Sequence, residues 1–260
     1  MIKYQKIQGV ELTEVSSLPK IEQTPEGLAM GGIPSWVAFV DPNYVVESPG
    51  QVRNRAIPNA MGSATSDVAT GNFANGEISF DHTEDPFNLT LPVNGIDNNT
   101  WSAFFVANVE GGSGIQRIFR SSPTLEEGEG VGLNVAFNIS GDRIIVYEPS
   151  DSSSGQTQRL SYTGGFDEID RAQLFMVTFS TTHGLKIYVD GELVASEPGD
   201  KAPLTNGHEV SNLLMYRSTR GDYGMGGLLN IDLGASENTG HRRAIEKFLM
   251  DKYGIPQGPQ

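Results

Sequence analysis

Over much of this chain apolar and polar positions change places every second residue, the period of a half-buried strand. Phe87, Leu89, Leu91 and Val93 alternate with Asn88, Thr90 and Pro92, and Val131, Leu133, Val135, Phe137 and Ile139 alternate with small or polar neighbours. Ser140-Gly141-Asp142 then separates that run from Arg143–Tyr147, which predicts a hairpin. Trp101–Val109 is apolar on both faces and suits a strand central to packed sheets. The sharpest local signal is Leu185–Ala195, where Asp190-Gly191 stands between two alternating runs. A two-residue hairpin turn needs positive φ, which Gly and Asp tolerate. Leu174–Phe179, Val210–Tyr216 and Met225–Leu233 read as further strands. Strands at this spacing, parted by Gly-rich turns, predict an antiparallel sandwich or barrel.

The pattern changes to a helical period once. Arg242–Tyr253 places Ile245, Phe248, Leu249 and Tyr253 on one stripe, with its charged residues largely elsewhere. Ser236 or Thr239 is expected to cap the start, and Gly254 with Pro256 to end it. At the other end, residues 1–35 read as an irregular arm. Pro19, Pro25 and Pro34, with Gly27, Gly31 and Gly32, interrupt any long element, while Val10, Leu12, Val15 and Leu18 suit a short edge strand. The expected division is an N-terminal arm over 1–35 and one domain over 36–260.

The order of these features resembles the laminin G-like branch of the concanavalin A-like lectin/glucanase superfamily, in its phage and bacterial form. The motifs that carry the resemblance are Phe175–Phe179 followed by the Tyr188-Val189-Asp190-Gly191 hairpin, the Gly-rich strand Gly226–Ile231, and the terminal helix ending Phe248–Ile255. It spans roughly residues 40–255. The resemblance implies an all-β fold: an antiparallel jelly-roll β-sandwich with one C-terminal helix, preceded here by the arm.

Composition narrows the function. Eighteen basic against 32 acidic residues give a net charge of −14, which repels phosphate backbones and anionic membranes, so no nucleic-acid partner is expected. No run approaches the ~18 apolar residues of a spanning helix, so no membrane insertion is expected. Met1–Lys6 lacks the apolar stretch of a secretory signal, and the absence of cysteine removes disulfides, thiol nucleophiles and thiolate metal sites.

The superfamily includes glucanases, whose retaining chemistry needs two carboxylates about 5–5.5 Å apart. The nearest match to the pattern that the resemblance implies is Glu168-Ile169-Asp170-Arg171-Ala172-Gln173, with Gln173 where a terminal acid belongs. Glu168 also falls in a turn after Gly164-Gly165, which reads as a solvated loop rather than a catalytic strand. Glu126, Glu127 and Glu129 lie in a Gly-punctuated loop. The four histidines form no His-x-x-x-His pair, and no serine stands in Gly-x-Ser-x-Gly. Asp81, Glu84 and Asp85 offer hard oxygen ligands of the kind Ca²⁺ takes, without a calcium-loop signature; no other cofactor is expected.

For binding, the richest segment is Tyr216–Gly224. Arg217, Arg220, Asp222 and Tyr223 are the candidate ligand-binding residues, an aromatic face with charged hydrogen-bond partners of the kind that holds sugars. The reading that follows is a non-enzymatic virion protein: a bacteriophage capsid decoration, head fibre or tail-associated subunit. Its arm would anchor it to other virion subunits, in a homo-oligomer, and its jelly roll would face host-surface glycans. The alternatives are a dedicated carbohydrate-binding lectin and a glycoside hydrolase or lyase.

Overall fold

The computed structural model describes residues 24–46, 51–83, 87–97, 99–111, 114–121, 133–138, 141–149, 156–199, 212–217 and 219–257. The expected edge strand at Val10–Leu18 lies outside them, as do Glu84, Asp85, the acidic loop at 126–129 and His208.

The described part of the arm opens with a helix, α1 (Pro25–Met30). Pro25 and Gly27, expected to break structure, instead start it. Proline suits the first helical position, where its missing N–H is not needed, and the Thr24 hydroxyl accepts the Gly27 N–H at 3.0 Å. Met30 and Ile33 are buried, so this stretch packs on its own domain.

The strands follow in chain order. They are β1 (Trp36–Val40), β2 (Val45–Val46), β3 (Gln51–Arg53), β4 (Met61–Ala64), β5 (Thr70–Asn72), β6 (Ile78–Asp81) and β7 (Leu89–Pro92). Next come β8 (Thr100–Val109), β9 (Gln116–Ser121), β10 (Asn134–Phe137), β11 (Arg143–Pro149) and β12 (Gln156–Thr163). The last are β13 (Gln173–Ser180), β14 (Gly184–Val189), β15 (Glu192–Glu197), β16 (Asn212–Arg217) and β17 (Gly221–Leu229), before α2 (Thr239–Tyr253). One sheet runs β15-β14-β13-β8-β17-β6-β5, with β1 also pairing β17; the other runs β12-β11-β10-β9-β16-β7-β4-β3-β2. The described pairings are antiparallel, giving a two-sheet β-sandwich closed by one C-terminal helix.

The expected hairpins form. Asp190 (φ 49°) and Gly191 (φ 79°) turn β14 into β15, and the Asp190 carboxylate accepts the Leu174 N–H at 2.8 Å and pairs with Arg171 at 2.8 Å. Phe137 faces Ile144 across the β10–β11 hairpin.

The double apolar phase of β8 and β13 feeds two cores. Trp101, Ala103, Phe105, Phe175, Val177 and Phe179 pack between the sheets, with the Phe105 and Phe175 rings stacked at 5.0 Å. Phe104, Val106, Leu174 and Met176 face outward and meet Ile245, Leu249 and Tyr253 of α2. Close approach of that helix depends on Gly224, where a Cβ would lie 2.7 Å from the Tyr253 ring. The Tyr253 hydroxyl then accepts the Met225 N–H at 2.9 Å, beside a break in the β17 register. At the helix start neither Ser236 nor Thr239 caps: Asn238 precedes the first turn and its side chain donates to the Asp232 carbonyl instead. Gly254 ends the helix in the left-handed region as expected, and the Ile255 N–H bonds back to the Met250 carbonyl.

Candidate functional site

The segment singled out by sequence connects two sheets, so it is a corner and not a hairpin tip. β16 ends in one sheet and β17 begins in the other. Tyr216 takes the left-handed conformation (φ 56°) where the chain turns. The corner is clamped from several sides. Gln116 accepts the Arg220 N–H at 3.0 Å, the Glu110 N–H donates to the Arg220 carbonyl, and the His82 N–H donates to the Gly221 carbonyl.

This route separates the four candidate ligand residues. Arg217 stands at the end of β16 directly opposite Arg117 of β9, in the second sheet. Arg220 is exposed at the corner. Asp222 is half-buried near the edge of the first sheet. Tyr223 is wholly buried in the inter-sheet core, where its hydroxyl donates to the Arg220 carbonyl at 3.2 Å. Tyr223 therefore offers no aromatic platform to a ligand. Neighbours on a strand point to opposite sides, so Asp222 and Tyr223 cannot share one face.

What gathers instead around Asp222 comes from β6. Asp222 lies directly across from Asp81, and the Ser79 hydroxyl donates to the Asp222 carboxylate at 2.6 Å. Burial pushes the Asp222 carboxyl above the ordinary range, the Ser79 bond opposes this, and the Asp81 charge adds to it. Asp81 is held below that range, chiefly by the Thr83 hydroxyl (2.6 Å) and then by the Thr83 N–H (2.9 Å). Of the expected calcium ligands Asp81, Glu84 and Asp85, the last two lie outside the described residues, and Asp81 meets Asp222 here. Among the described residues no three acidic or histidine side chains converge to hold a metal. Ser79 and Thr83 were missed. Their signal was the alternation of polar Ser79 and Asp81 with Ile78 and Phe80.

Behind the rim, His82 is fully buried with its ring 4.1 Å from that of Phe87. Its Nδ1 lies 2.9 Å from the Thr219 hydroxyl, which donates to the Tyr216 carbonyl. That hydroxyl has one proton, so Nδ1–H is the donor of the pair, and Nε2 is left as a lone pair with no partner among the described residues. Burial drives the imidazole pKa down to about 3, against a smaller opposing pull from Asp81. A neutral ring without access to solvent is a structural part and no general base.

The glucanase-like acids occupy the turn expected of them: Phe166–Glu168 is a short 3-10 turn ahead of β13, and Glu168 and Asp170 are exposed. Trp101 is core and Trp36 packs its ring 5.9 Å from Phe104, in keeping with packing roles. No helix among the described residues is long and apolar enough to cross a membrane.

No protein-family model and no curated protein sequence matches this chain. Solved structures do. The botulinum neurotoxin serotype G binding domain aligns with a TM-score of 0.56 at 14% identity, over 83% of this chain and 51% of that one. The serotype D/C binding domain gives 0.56 at 9% identity, over 81% and 52%. A type C neurotoxin structure gives 0.54 at 12% identity, over 81% and 51%; uptake of that toxin into cells depends on two ganglioside molecules. At these identities the likeness is one of fold, a β-sandwich, and this chain spans about half the length of the structures it matches. The serotype G and serotype D/C structures are binding domains.

Proposed function

We propose that this chain is a non-enzymatic binding module, a laminin G-like jelly roll of the concanavalin A-like type that recognises carbohydrate. The observation that carries it is the Asp81–Asp222 rim: ordered carboxylates with hydroxyl partners, on a sheet whose backbone is fixed by ladder bonds. Sugar hydroxyls are donors, and preorganised carboxylates accept from them strongly. The fold supports the reading, since the neurotoxin domains that share it include one whose toxin depends on gangliosides and one in complex with synaptotagmin II. Arg220, exposed beside the rim, supplies the complementary donors. The setting we propose is a bacteriophage particle, with the N-terminal segment holding the subunit to its neighbours in a homo-oligomer and the jelly roll facing the host surface.

A glycan array probed with the full chain tests this. Saturable binding that falls at least about ten-fold in Asp222→Ala, with the thermal midpoint not lowered, is the expected result. No binding to any glycan, or binding indifferent to Asp222, overturns the site. Release of reducing ends from a polysaccharide panel by the wild-type chain overturns the non-enzymatic assignment. Recovery of the protein outside purified phage particles overturns the setting.

A further inference from the structure

A groove of about 870 Å³ runs between α1, the Asp41–Tyr44 turn after β1, and the outer side of α2. Met225, Ala244 and Phe248 are among its lining. At its lip stand Leu28, 64% exposed, and Tyr44, 43% exposed, two of the four large hydrophobic side chains exposed among the described residues.

The charges around the groove are already engaged. Arg55 pairs with Glu26 at 2.6 Å and with Asp41 at 3.1 Å, Lys247 pairs with Asp251 at 2.7 Å, and Lys252 pairs with Glu77. Nothing there asks for an ionic or sugar ligand. What is left open is apolar surface, and its natural occupant is a peptide bearing apolar side chains.

The chain itself supplies one at the right place. Thr24 and Pro25 form part of the groove wall, so residues 1–23 leave the described structure at its lip. In that segment Leu12, Val15, Leu18 and Ile21 recur at every third position, with polar residues or Pro19 between them. A period of three aligns side chains along one edge of a chain with polyproline II pitch. Ile21 is three residues from Thr24, at most about 10 Å of extended chain. So short a tether gives an effective concentration in the millimolar range, far above that of a separate molecule.

We propose that this groove seats the chain's own N-terminal segment, with Ile21 and Leu18 leading in beside Leu28 and Tyr44. A segment so seated cannot also reach a neighbouring subunit. Where the proposed arm anchoring holds, on which this consequence rests, the groove stows the arm in the free protein and releases it on assembly.

Limited trypsin digestion of the full chain tests the seating at the Lys20–Ile21 bond. Leu28→Glu, a change at an exposed position, and Ala244→Arg, a change in the wall, are compared with the wild type. We expect that bond to be cut about ten-fold faster or more in both variants, with thermal midpoints unchanged. If Ala244→Arg lowers the midpoint, Leu28→Glu alone decides. Equal cleavage rates in variant and wild type overturn the proposal. So does wild-type protection that grows with protein concentration, because a second copy would then be the occupant. Glycan binding is read separately, so failure here is distinguishable from failure of the proposed function.

Discussion

The two sheets bury their inner faces alike and differ on their outer faces, the second carrying arginines among buried Ala136, Ile145 and Leu214. Where α2 covers it, the outer face of the first is apolar: Phe104, Val106, Leu174, Met176 and Met225 cluster with Ile245 and Leu249. On the outer side of the second, Arg117 and Arg217 are direct cross-strand partners, Arg120 faces Asn134, and Arg143 and Arg117 act on Tyr147. The difference traces to pattern. β8 and β13 are apolar in both alternation phases and need a second layer, whereas β9 and β16 carry arginine among their apolar residues. A helix over the first sheet is thus demanded by that sheet's own residues.

Four expected outcomes test this contrast. The largest concerns the helix layer: Leu249→Ala should cost about 2–5 kcal/mol in urea unfolding, the usual range for a buried leucine. A cost near zero would mean that α2 is only an ornament on the sheet. Next comes acid. His82 titrates near 6.5 when unfolded and near 3 when folded, so its contribution is fully present above pH 6.5 and is lost as pH falls toward 3. The slope is at most about 1.4 kcal/mol per pH unit. His82→Phe should flatten that part of the stability profile relative to the wild type; identical slopes would show that the ring is not held neutral.

Tyr253→Phe is the subtler probe of the helix contact. It leaves the buried Met225 N–H without its acceptor, which should cost about 1–3 kcal/mol and speed amide exchange at Met225. The smallest effect is at the rim. Asp222 has a raised carboxyl pKa, so the wild type loses stability as pH rises through it, and Asp222→Asn should be slightly more stable at pH 7. The gain should vanish in acid, where the wild-type carboxyl is protonated. A gain independent of pH would remove the electrostatic explanation.

Much of the fold was legible locally. The Asp190-Gly191 turn, the β10–β11 hairpin, the apolar run of β8 and the terminal helix all announce themselves within a dozen residues, because φ preference and side-chain period are local properties. The helix caps were misjudged at Ser236 and Thr239, and α1 was missed because proline and glycine were read as breakers without regard to position. The site was less legible. Ser79 and Asp222 are 143 positions apart, and no local pattern pairs them.

The sequence by itself determined that this is a β-sandwich with a helix on one side, since alternation and turn chemistry leave few other ways to bury these residues. It also set Asp222 and Tyr223 side by side. Only the tertiary structure decided that they part company, one on an outer face beside Asp81 and the other in the core. The reason is that strand neighbours point oppositely, and which side is core depends on the sheet the chain enters after its corner.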